Sequence, residues 1–128
     1  MISEPFVGYR RPDAHRLVRS VNFDAISAAP PDKRMSLTVT EVGTGDRKSM
    51  IKYIRTPSEH GSPKGFHTHP YDQTFYLISG GLAVEMEGEE AFHMFPGDTV
   101  TFPAGVPHRN QNVGSSESVH LSINTPAG

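Results

Sequence analysis

GFHTHPYDQTFYLISGG, residues 65–81, decides how this chain is read. Two histidines, His67 and His69, stand one residue apart, and Gln73 follows four positions later. The β-prone run Phe75-Tyr76-Leu77-Ile78 comes next, and Gly80-Gly81 closes it. Residues two apart on an extended strand share a face, so a strand here points His67, His69, Gln73, Phe75 and Leu77 the same way. Two imidazoles converging on one face begin a metal site, because neutral imidazole ligates Zn, Cu, Fe and Ni. Taken alone, the pair fits equally well with two surface histidines on an edge strand.

The flanking sequence reads as β. Twelve glycines and eleven prolines are spread as punctuation between short apolar runs. Met35 to Val42 alternates apolar and hydroxyl residues, the period of a half-buried strand. Further strands are expected at Met50–Arg55, Leu82–Glu87, Ala91–Phe95, Thr99–Phe102 and Val119–Ile123, with turns at Gly43–Asp46, Gly88, Pro96–Asp98 and Pro103–Gly105. Many short strands at such spacing predict a sandwich or barrel. Ala14 to Val21 has room for a turn or two of helix. Pro30-Pro31-Asp32 separates residues 1–34, an arm or edge strand, from a β-barrel over 35–128.

Composition narrows the classes of function. A chain of 128 residues is one domain by length. Apolar residues at 35% and charged residues at 20% are ordinary for a soluble globular protein. Net charge is -2 and no basic cluster exceeds Arg10-Arg11 or Arg47-Lys48, so no nucleic-acid footprint shows. No apolar run is long enough to span a bilayer, and the N-terminus lacks the pattern of a secretory signal, so the expected compartment is the cytoplasm. Cysteine is absent, which removes disulfides and thiolate ligands.

Two longer patterns decide between a metal site and surface histidines. Gly61 lies six positions before His67, and Gly80 lies seven after Gln73. Downstream stand Gly97, Pro103, Gly105, His108 and Asn112. Together these residues resemble the two signature motifs of the cupin superfamily. The first is Gly, five residues, His-x-His, three or four residues, Glu, six residues, Gly. The second is Gly, five residues, Pro-x-Gly, two residues, His, three residues, Asn. Nine of ten motif positions hold the expected residue, and the exception is Gln73 in the place of Glu. The resemblance implies an all-β fold: a double-stranded β-helix, or jelly-roll barrel, in a single domain with a short N-terminal arm. It implies one divalent transition metal per chain, held by His67, His69, Gln73 and His108.

The departure at Gln73 has a chemical consequence. An amide oxygen still offers a lone pair. A dication held by three neutral imidazoles and an amide keeps its full charge, whereas a glutamate would cancel one unit. Such a metal polarises carbonyls strongly and acidifies bound water. It also disfavours an oxidised metal, so Zn or Ni is favoured over Fe, Mn or Cu. The alternative role for Gln73 is a hydrogen bond to a ligand histidine. The variant resembles the uronate-linearising cupins and the cupin polyketide cyclases, both non-redox. The uronate group typically carries an acid and a basic residue on and after the last strand. Here the chain ends Asn124-Thr-Pro-Ala-Gly128, without either.

Proton-transfer chemistry needs a base near the substrate. His120 is the candidate, because it shares strand parity with Ser122 and Asn124, which would line the pocket. Phe75, Leu77 and Phe102 are expected to form its apolar wall, and Tyr53 to offer a hydroxyl. Three functions follow: a metal-dependent cyclase, isomerase or lyase acting on a small oxygen-rich carbonyl substrate, a dioxygenase, and a non-catalytic binding module. Neither nucleic acid nor membrane is expected as a partner. A homodimer is expected, because an unpaired sheet edge invites association.

Overall fold

A computed structural model describes residues 26, 28–62 and 65–127. Eight strands run in chain order: β1 Met35–Val42, β2 Ser49–Thr56, β3 Tyr71–Ser79, β4 Leu82–Met86, β5 Phe92–Met94, β6 Thr99–Phe102, β7 His108–Gln111 and β8 Ser118–Pro126. A 3-10 turn at Gly45–Arg47 joins the first two. Two antiparallel sheets form, one of five strands in the order β1-β2-β8-β3-β6 and one of three in the order β5-β4-β7. This is the all-β jelly roll expected from the sequence. No described helix is long and apolar enough to cross a membrane. The helical turn expected at Ala14–Val21 lies outside the described residues, as does most of the arm.

The chain passes from the large sheet to the small one between β3 and β4, at Gly80-Gly81. Gly80 has a φ of 77°, and a Cβ there would run into the Glu117 carbonyl oxygen. Only glycine suits both conditions. Alternation then sorts each strand. Phe75 and Leu77 on β3 meet Leu82, Val84, Met94 and Phe102 in a core between the sheets, each at most 2% exposed. Burying a side chain of this size contributes about 1.5–3 kcal/mol. On the outer face of the large sheet, Leu37, Tyr53, Leu121 and Tyr76 lie in one cross-strand row and are half-buried or exposed.

Arg55, on that outer face, is 8% exposed. Its guanidinium donates to the carbonyls of Ile26, Ala29 and Pro30 at 3.1–3.3 Å. Ile26, Ala29 and Pro30 are thereby tied to β2, ahead of the turn at Pro31–Asp32 that leads into β1.

One expectation needs correction. His67 and His69 do not lie on a strand with Gln73. Pro70 has no N–H to give to a ladder, and β3 begins one residue after it, at Tyr71. His67 instead forms an isolated bridge with His108 of β7.

Candidate metal centre

His67 and His108 exchange both backbone hydrogen bonds, at 3.0 and 2.9 Å. That bridge fixes one histidine of the first motif against the histidine of the second. The Gly105 N–H donates to the His69 carbonyl at 2.9 Å, and Asp72 accepts the Ala104 N–H at 2.8 Å. The turn after β6 is thus clamped to the segment that carries His69 and Gln73. Gly61 permits the approach from the other side, since a Cβ there would strike the backbone of Asn110.

The imidazole rings of His67, His69 and His108 lie with centroids 4.5–5.2 Å apart. Each offers a nitrogen, and all three nitrogens fall within 4.8 Å of one another. Phe102 stacks on His108 at 4.2 Å and Tyr71 on His69 at 4.8 Å, which fixes the planes of two rings. Burial lowers the pKa of His67, and the neighbouring His108 and Arg34 lower it further. His69 is lowered by burial, then by His67, His108 and Lys52. Both shifts favour neutral imidazole, the form that ligates a metal.

Gln73 completes the group. It is buried, and its amide nitrogen donates to Ser122 Oγ at 3.1 Å and Asn124 Oδ1 at 3.2 Å. Those two acceptors orient the amide, leaving Oε1 aimed at His108 Nε2, 3.1 Å away. On the other side of that ring, Nδ1 lies 3.0 Å from the Val106 carbonyl, which can only accept, so Nδ1 carries the proton. A neutral His108 then presents a lone pair at Nε2 to a lone pair on Gln73. Two such acceptors repel unless a metal ion or a second ring proton satisfies both. His67 Nδ1 is also buried without a partner. A cation explains the facing acceptors, and the donor set of three imidazoles and an amide oxygen suits a first-row divalent metal.

A cavity of about 350 Å³ opens above these groups. His67 and His69 line it, and strand alternation brings Gln73, Phe75, Ser122 and Asn124 to it. Leu77 and Phe102 do not line it and belong to the core behind it. Tyr53 is corrected: it pairs across from Leu37 and Leu121, and the inward positions of β2 are Lys52 and Ile54. His120 does point inward but is fully buried, between Ile54 and Leu77 in the sheet and 4.4 Å from the Phe75 ring. Burial, with Arg34 adding to it, lowers its pKa to about 3. It does not line the cavity, so its position supports no role as a catalytic base.

The sequence reading missed Tyr71, Lys52, Arg34, Ser36 and Asn110, which also line the cavity. Tyr71 shares the parity of Gln73, and Lys52 interrupts an otherwise apolar stretch of β2. Those two signals were legible. Arg34 precedes β1, where parity has no hold. A larger groove of about 690 Å³ lies over β4 and β7 and holds none of the histidines.

The cupin domain family model matches residues 55–124. The chain is 33% identical over 99 residues to the polyketide synthase CurC of Streptomyces cyaneus, an alignment covering 74% of this chain and 61% of that protein. It is 37% identical over 43 residues to the dimethylsulfoniopropionate lyase DddQ of Ruegeria pomeroyi, covering 34% of this chain and 21% of the lyase. The alignments therefore leave more than a third of each relative unmatched. The structure of TT1209 from Thermus thermophilus superposes with a TM-score of 0.62 at 23% identity, covering 94% of this chain and all of the other.

Proposed function

The chain belongs to the cupin family, and on that premise we propose that it is a metal-dependent enzyme of non-redox proton transfer. The reaction is a cyclisation, isomerisation or lyase-type elimination on a small oxygen-rich carbonyl compound. The observation that carries this reading is the convergence of three imidazoles, their nitrogens within 4.8 Å of one another, with Gln73 Oε1 3.1 Å from His108 Nε2. His67, His69, His108 and Gln73 would hold one divalent metal, with Zn or Ni favoured by the neutral donor set. When bound, such an ion supplies Lewis-acid polarisation of a carbonyl oxygen. The similarity to a polyketide synthase and to a lyase supports carbonyl and elimination chemistry as a class.

The rest falls to the chain's own side chains. Tyr71 lines the cavity beside His69, and burial raises its pKa. At neutral pH its hydroxyl therefore holds its proton and acts as donor to a developing oxyanion. Phe75 excludes water from one wall. A homodimer is proposed as the working assembly; the half-buried apolar row Leu37, Tyr53 and Leu121 on the outer face of the large sheet supports it.

Proton transfer is tested by incubating the zinc-loaded protein with a panel of hydroxyketones and β-dicarbonyls in deuterium oxide under argon. NMR should show deuterium entering a carbon next to a carbonyl, or an isomerised product, without oxygen. Turnover only in air, with oxygen consumed, would replace this reading with a dioxygenase.

A further inference from the structure

We propose that the cavity selects substrates bearing a carboxylate, and that Lys52 and Arg34 are the residues that bind it. The inference rests on the metal-site reading for the position of the reacting carbonyl and adds the anionic end of the molecule. Lys52 lies on β2 directly across from Ser122, whose hydroxyl bonds Gln73. It is thus one strand away from the donor group and points into the barrel. Arg34 lies just before β1 and lines the same cavity. Both side chains line the cavity together with His67, His69 and Gln73.

Three other basic residues have acids beside them, while Lys33 and Arg47 have none among the described residues but lie outside the cavity. Lys48 pairs with Glu41 at 3.3 Å, Arg55 with Glu117 at 3.6 Å and Arg109 with Glu85 at 2.7 Å. Lys52 and Arg34 have no such acid among the described residues, and no aspartate or glutamate lines the cavity. An inward-facing cation on a barrel strand costs desolvation energy that only an opposite charge recovers. Burial already lowers the Arg34 pKa, although much of its side chain is open at the mouth. Three neutral imidazoles and an amide cancel none of a metal's charge, so a divalent ion would leave the cavity more positive still. Such a cavity concentrates anions and orients them. Asn110 adds an acceptor, Oδ1, which is buried without a partner and suits a substrate hydroxyl.

Levulinate and its methyl ester separate charge from carbonyl recognition, because both keep the ketone. NMR titration of zinc-loaded protein should show the acid bound about tenfold more tightly than the ester, the ratio expected of roughly two partly shielded charge contacts acting together. Lys52→Met and Arg34→Met should each erode that preference, the double variant should abolish it, and Lys52→Arg should keep it. Zinc content and melting temperature should stay unchanged throughout. Equal binding of acid and ester by the wild type, or a preference that survives the double variant, would overturn the proposal. The same titration on chelator-stripped protein separates the two ideas. A protein that takes no zinc yet prefers the acid through Lys52 loses the metal reading and keeps this one. A protein that takes zinc and shows no preference loses this one alone.

Discussion

Gln73 is where chemistry and packing meet. Its nitrogen is committed to Ser122 and Asn124, so its oxygen has one direction to face. If that oxygen completes a metal site, Gln73→Leu should lower zinc affinity by about 10–100-fold, the range seen when a supporting polar group is lost. Gln73→Glu should hold zinc at least as tightly as the wild type. Competition with a fluorescent chelator reads both. His120 gives a second prediction at this scale. Both its ring nitrogens are buried without partners, and its pKa falls to about 3 from an ordinary 6.5. The unfolded chain takes up a proton as pH drops below 6.5, and the folded protein refuses it until about 3. Stability linked to this ring is complete above pH 6.5 and drains away as the pH falls toward 3. His120→Leu removes that loss and two unpaired polar atoms. Urea titration should show the variant gaining on the order of 1–3 kcal/mol over wild type at pH 5, with a smaller gain at pH 8.

At the level of elements, Asn112 acts as a clamp. Its amide donates to the carbonyls of Thr56 and Ser116 at 3.0 and 2.8 Å, and its Oδ1 accepts from Gly114 at 3.0 Å. The end of β2, the end of β7 and the turn before β8 meet at this one side chain. Asn112→Ala leaves those groups unpaired and should cost roughly 2–4 kcal/mol, read as a lower urea midpoint. It should still bind zinc once folded, because the Asn112 side chain bonds none of His67, His69 and His108. Most strands were legible, since alternation in Met35–Val42 and Thr99–Phe102 set their limits, but β7, His108–Gln111, carries mostly polar residues and was not. The His67–Gln73 stretch was legible as a ligand set but not as a strand, because parity alone ignores what Pro70 does to a ladder. Tyr53 was misplaced for a related reason. Its type suits a pocket, but only the register of β2 against β8 says which face it takes. Arg34 was out of reach, because its place in the cavity depends on how the chain enters β1.

For the whole molecule, the outer face of the large sheet and the metal cavity make separate claims. If Leu37, Tyr53 and Leu121 cover a partner copy, light scattering should give twice the chain mass, and Tyr53→Glu should yield monomers that still bind zinc. The central claim concerns the ion. Elemental analysis of protein purified without added metal, beside His67→Ala and His108→Ala, tests it most directly. About one zinc or nickel per chain is expected in the wild type, from one donor set per chain, and almost none in either variant. Folded wild-type protein that carries no metal and takes up none on dialysis against zinc would contradict it.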